Sequence, residues 1–176
     1  MTPLPKEIQQ DLKRSLTTAN WALFKEIRYS FGQEGEVFLI ENLDLSGVDL
    51  SQLPSDFLCF KNCNLRGASF KGRHFWPTAL WSCEASGLNI EGSYGMLFAF
   101  QSDLRGVKYN NKTNLFPSDN TDQPSAFEQC KLDEAFEEFA RSQGAMMHFP
   151  KEKHIPAYAF GVAVRSGKDF ITGKLS

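Results

Sequence analysis

Apolar residues recur at every fifth position through the middle of this chain. Ile40, Leu45, Leu50, Phe60, Leu65, Phe70, Phe75, Leu80, Ala85, Ile90 and Phe100 hold the beat, and Ser55 and Gly95 interrupt it. Eleven of thirteen such positions are apolar in a chain that is 41% hydrophobic, where chance would leave about five. An α-helix repeats every 3.6 residues and a strand every two, so neither produces this pattern alone. Two residues before the central position the chain is usually apolar or small again: Leu43, Val48, Leu53, Leu58, Cys63, Ala68 and Leu88. Residues two apart on extended backbone point the same way, so this pair faces inward together. The remaining three positions face outward and include a bend, with glycine at Gly47, Gly67, Gly72, Gly87 and Gly92 as corner residues.

The number of sides follows from which residues stack. At a separation of twenty, Gly47, Gly67 and Gly87 form one column, Gly72 and Gly92 another, and Cys63 lies over Cys83. Glu41 is then placed beside Lys61, and Lys71 beside Glu91, as opposite-charge pairs. Four five-residue sides give these matches; three or five scatter them. Near position 101 the phase slips by one, making Leu104 and Tyr109 the centres.

The segments Cys63-Asn64-Leu65-Arg66-Gly67, Ala68-Ser69-Phe70-Lys71-Gly72, Val48-Asp49-Leu50 and Ser102-Asp103-Leu104-Arg105-Gly106 resemble the repeat of the pentapeptide repeat family, A(D/N)LXX with a favoured final glycine. The resemblance covers roughly residues 36–115. It fades at 53–60, 73–80 and 93–100. It implies an all-β solenoid, a right-handed quadrilateral β-helix, here of about four coils with flanking α-helices. Handedness comes from the resemblance, not from the spacing.

The flanks predict helices and a tail. Ile8, Leu12, Leu16, Ala19, Leu23 and Ile27 make one amphipathic stripe over 5–29, read as a cap on the first coil. Residues 117–124 are a loop by composition, and a second helix is expected over 125–142, closed by Gly144. The resulting division is 1–33 N-terminal capping helix, 34–116 repeat, 117–144 loop and C-terminal capping helix, and 145–176 tail. In the tail, Tyr158, Phe160, Val162 and Val164 alternate, as a strand or hairpin would; a segment ordered by a partner is the alternative.

One of the four sides breaks the repeat in every coil. It carries Ser55, Phe75 and Gly95 centrally, Leu53, Arg73 and Ser93 two residues before, and Phe57, His74, Trp76, Pro77, Tyr94, Met96 and Leu97 around them. Aromatics beside Arg, Met and Pro have the composition of interaction hot spots. The candidate partner-binding residues are Arg73, His74, Trp76, Tyr94 and Met96; the competing reading is that a helix or the C-terminal strand packs there.

Composition narrows the function. A net charge of −2 gives no basic balance for nucleic acid or an anionic membrane surface. No apolar run approaches the roughly 20 residues that span a bilayer, and the start has no signal-peptide core. The expectation is a bacterial protein folded in the cytoplasm; delivery into another cell by a signal-less route stays open, so regulator and effector both fit. Cys59, Cys63, Cys83 and Cys130 have no metal-ligand spacing with His74, His148 or His154, so no metal and no cofactor is expected. No GxSxG, HExxH or GxGxxG motif appears in a fitting context, so no catalytic residue is expected. The reading is a non-enzymatic module presenting a rigid surface to an unidentified protein partner, with a homodimer through the C-terminal helix as a further expectation from the family. The family also includes DNA mimics that bind type II topoisomerases and protect against their poisons. Mimicry needs a long negative face, whereas residues 36–115 hold eight acids against seven bases.

Overall fold

The computed structural model describes residues 4–32, 37–54, 57–115 and 125–147, without the side chains of Trp76 and Pro77. Five strands form one parallel sheet in chain order: β1 (Phe38–Glu41), β2 (Leu58–Lys61), β3 (His74–Trp81), β4 (Tyr94–Phe100) and β5 (Ala126–Glu128). Phe38 pairs with Leu58, and Leu58 with Thr78, so residues twenty apart are neighbours. Three further lines of parallel pairing run beside the sheet. One joins Asp44, Asn64, Glu84, Asp103 and Lys131; another joins Asp49, Ser69, Asn89 and Lys108; the last joins His74, Tyr94 and Asn114. These are the stacked sides that the five-residue period predicts.

Local chemistry makes each corner. The Asp, Asn or Ser before a central residue accepts the backbone N–H two positions on: Asp49 from Ser51 at 2.9 Å, Asn64 from Arg66 at 3.2 Å, Asn89 from Glu91 at 2.9 Å. That bond makes a local turn, so the preference for Asp or Asn there is conformational. A second corner is not visible in the period. Asn42, Asn62, Ser82, Gln101 and Gln129 all take positive φ, between 49° and 57°. The column is tied by Gln101 Nε2 donating to Gln129 Oε1 at 3.2 Å. Inside, small donors bond to the coil before: Cys83 Sγ to the Phe60 carbonyl at 3.2 Å and Ser93 Oγ to that of Phe70 at 2.6 Å. Cys63 and Cys83 are buried free thiols.

Three expectations change. First, the phase slip falls within β4, between Gly95 and Ala99, just ahead of 101. Phe75 pairs with Gly95 but Thr78 pairs with Leu97, leaving two residues opposite the single Met96. Proline has no N–H for a ladder and is accommodated at such a bulge. Ala99 therefore faces the inner core, and Phe100 faces outward.

Second, the N-terminal stripe is two helices, α1 (Lys6–Thr17) and α2 (Trp21–Phe31). Ala19 takes φ of 53°, and the Asn20 side chain accepts from Leu23 N at 3.1 Å to cap α2. The hairpin brings Leu12, Leu16, Phe24 and Ile27 into the inner core, where Phe24 meets Phe38 edge to face at 6.0 Å.

Third, residues 125–131 do not join the C-terminal helix. Ala126–Glu128 pair with the open edge of β4, whose unpaired backbone groups are satisfied that way. The helix α3 is Glu134–Ser142, followed by Gly144 with φ of 78°. Tyr109 stacks on Phe139 at 4.3 Å and its hydroxyl donates to the Ala135 carbonyl at 3.0 Å, holding α3 in place. The loop 117–124, Ser55 and the alternating tail of Tyr158 to Val164 lie outside the described residues.

Candidate functional site

The irregular side is built on β3 and β4. His74 pairs with Tyr94 in the parallel ladder, and identical strand positions one coil apart project in the same direction. Their rings stack at 4.5 Å with planes 11° apart. Tyr94 is 50% exposed, one of few large hydrophobic side chains on the described surface. Below them Gly95 takes φ of 112°, and a β-carbon there would fall 2.3 Å from the Phe75 carbonyl oxygen. Glycine thus lets β4 approach β3 closely at the point where the ring pair sits.

The other predicted residues are not on that surface. Arg73 is 2% exposed. Its guanidinium donates to the carbonyl of Leu53, and to that of Pro54 at 3.2 Å, and lies over the Phe70 ring at 5.8 Å. A charged group turned inward finds fixed acceptors there, which is what makes its burial tolerable. Met96 is 7% exposed and packs with the outward cluster of the sheet. The side chain of Trp76 lies outside the described set. The structure therefore brings His74 and Tyr94 together at the surface, turns Arg73 inward and buries Met96 in the outward cluster of the sheet.

Charged residues elsewhere on the repeat form ion pairs. Lys61 meets Glu41 at 3.3 Å, Lys71 meets Glu91 at 3.4 Å, and Arg66 meets Glu84 at 2.8 Å. Asp103 accepts two bonds from the Arg105 guanidinium, at 3.0 and 2.6 Å. The bond to Arg105 holds its carboxyl down at about 2, against an ordinary 3.8. Among the described residues no group of three or more His, Cys, Asp or Glu is arranged to hold a metal ion, and no helix is long and apolar enough to cross a membrane.

A second surface escaped the sequence reading. The outward positions of β1 to β5 carry Cys59, Ala79, Phe98, Phe100 and Ala126, all buried, with Leu39 and Trp81 beside them. Trp81 stacks on Phe100 at 5.2 Å. A signal was present. The position before the central residue is polar on the other sides (Asp44, Asp49, Asn64, Ser69) but Leu39, Cys59 and Ala79 on this one.

Stacked five-residue segments, corner turns and a continuous inner core define a repeat scaffold. Solved structures similar to this chain are pentapeptide repeat proteins. One from the thylakoid lumen of Arabidopsis thaliana is 13% identical over 74% of this chain and 97% of its own, with a TM-score of 0.31. QnrB1, a plasmid-mediated fluoroquinolone resistance protein, is 13% identical over 66% and 91%, with a TM-score of 0.27. HetL, involved in heterocyst differentiation regulation in the cyanobacterium Nostoc sp. strain PCC 7120, is 18% identical over 60% and 57%, with a TM-score of 0.24. No family model matches the sequence, and no curated protein matches it.

Proposed function

We propose that this protein is a non-enzymatic binding scaffold, a right-handed four-sided β-helix of about four coils that presents a fixed surface to a protein partner. The observation that carries the reading is the His74–Tyr94 stack. A half-exposed tyrosine is held flat on a neighbouring ring by a strand that only glycine allows so close. Ordering the ring beforehand removes much of the side-chain entropy that binding would otherwise cost, and tyrosine is among the residues enriched at binding hot spots.

The DNA-mimic alternative is less well supported. Glu41, Glu84, Glu91 and Asp103 each sit within 4 Å of a Lys or Arg nitrogen, so the acids do not add into an unbroken negative face of the kind that replaces DNA phosphates.

The test is affinity capture from a lysate of the cell that makes the protein, read by mass spectrometry. Wild type is run beside Tyr94→Ala with His74→Ala, and beside Tyr29→Ala, which removes an exposed tyrosine elsewhere. A hot-spot loss of about 2 kcal/mol corresponds to roughly thirtyfold weaker binding. The proposal requires that one captured protein be lost in the double variant and kept in Tyr29→Ala, with the thermal midpoint nearly unchanged. Capture that survives the double variant would refute the site. A topoisomerase subunit in the eluate would establish the alternative instead.

A further inference from the structure

One inward column carries two thiols in register. Asn62 N donates to the Trp81 carbonyl at 2.9 Å, Glu84 N donates to that of Cys63 at 3.0 Å, and Asn64 pairs with Glu84. Cys83 therefore lies one coil above Cys63, and both belong to the inner core. Their side chains repeat as well. Cys63 Sγ donates to the carbonyl of Lys61, two residues before it, at 3.5 Å and to that of Ile40, one coil below, at 3.4 Å. Cys83 Sγ does the same to Trp81 at 3.4 Å and to Phe60 at 3.2 Å. One sulfur is thus the other displaced by a coil, about 4.8 Å along the stack.

That separation selects among the things two thiols can do. A disulfide needs sulfurs about 2.05 Å apart and β-carbons about 3.8 Å apart, so parallel side chains a full coil apart do not meet unless the ladder closes up. Metal–thiolate bonds run to about 2.3 Å for zinc, and two of that length in line span about 4.6 Å, close to the rise of one coil. Among the described residues, the column places no further soft ligand next to the pair. Leu43 stacks below Cys63. Ser102 stacks above Cys83 and repeats the same two bonds, to Phe100 at 2.9 Å and to Leu80 at 3.4 Å. Zinc takes four ligands in closed sites and is poorly served by two sulfurs. A soft ion that prefers thiolates and accepts two of them in line is well served.

We propose that Cys63 and Cys83 form a linear two-sulfur site, inside the repeat, for a soft two-coordinate cation of the monovalent copper or mercuric kind. Each sulfur exchanges its proton for a metal–sulfur bond, and the protons pass to solvent. With a divalent ion the bridged product is neutral, which the apolar core favours over a net charge. The inference is independent of the His74–Tyr94 reading.

The probe is mercuric ion, added at one equivalent to the full-length protein. Wild type is run beside Cys59→Ala with Cys130→Ala, which leaves only the pair. Excess glutathione follows, and retained mercury is counted by native mass spectrometry. One ion should stay bound on both backgrounds, with two protons lost, because two ordered thiols compete about a hundredfold better than one. Cys63→Ser or Cys83→Ser on either background should lose the ion; Ser102 shows that the slot accepts serine. A serine variant that fails to fold by circular dichroism is replaced by alanine, which fills the equivalent slot at Ala68. Ser102→Cys added to Cys63→Ser moves the pair up one coil and should restore retention. Mercury kept by a variant lacking Cys63 or Cys83 alone, or lost from wild type, overturns the proposal. So does zinc held as tightly as mercury, or a folded Ser102→Cys variant that restores nothing.

Discussion

A β-carbon on Gly95 would lie 2.3 Å from the carbonyl oxygen of Phe75. Two strands meet there at a distance only hydrogen can fill, and φ at Gly95 is 112°. Gly95→Ala therefore combines a clash with a disfavoured backbone, and is expected to cost roughly 2–4 kcal/mol. Gly47 has φ of 67°, and a β-carbon there would meet nothing within 4 Å, so the same change should cost about 1 kcal/mol. Urea midpoints of the two variants decide the matter; equal losses would mean that the close approach at Gly95 is not a constraint.

Arg73 holds the chain at Leu53 and Pro54 by donating to both carbonyls. Arg73→Met keeps most of the stem and leaves those acceptors without the donor. A stability loss of about 1–3 kcal/mol is expected, with Arg73→Lys recovering part of it. A thermal midpoint unchanged in Arg73→Met would show that solvent replaces the guanidinium easily.

Phe70 is fully buried, with ring centroids 5.7 Å from Phe60 and 5.8 Å from Phe75. It joins sides of a single coil across the core. Phe70→Ala should cost roughly 3–5 kcal/mol through lost transfer energy and the cavity left behind. Tyr94→Ala, which removes one stacked ring at the surface, should cost about 1 kcal/mol or less. Reversal of that order would place Tyr94 in the core.

The Asp103 carboxyl titrates at about 2 in the folded protein against 3.8 ordinarily, chiefly because Arg105 hydrogen-bonds to it. The folded form thus prefers the ionised carboxylate. Its contribution to stability is present above pH 3.8 and is lost as the pH falls toward 2. Asp103→Asn should lower stability at neutral pH and flatten the decline between about pH 4 and 2. Parallel acid limbs in wild type and variant would remove Asp103 from that decline.

How much was legible in advance differs from element to element. Ile40, Leu45 and Leu50 are inside, Glu41 meets Lys61, and Lys71 meets Glu91, all from the spacing. The break between α1 and α2, capped by Asn20, lies within an apolar stripe that continues across it, so the spacing alone did not reveal it. The inward turn of Arg73 was not legible, because its acceptors at Leu53 and Pro54 are backbone carbonyls one coil away. Nor was the bulge at Trp76–Pro77, since the apolar residues at 99 and 100 satisfy either phase until the strands are paired.

The sequence by itself determined the five-residue repeat, its stacking at twenty, and which residues of the regular repeats face inward. That information is local: side-chain direction along extended backbone follows from chain geometry alone. Only the tertiary structure decided that residues 126–128 are a strand rather than the start of a helix, that Arg73 faces in, and that the outward face of the sheet is buried. Each depends on backbone groups and surfaces brought together from distant parts of the chain, as where an open strand edge finds its partner.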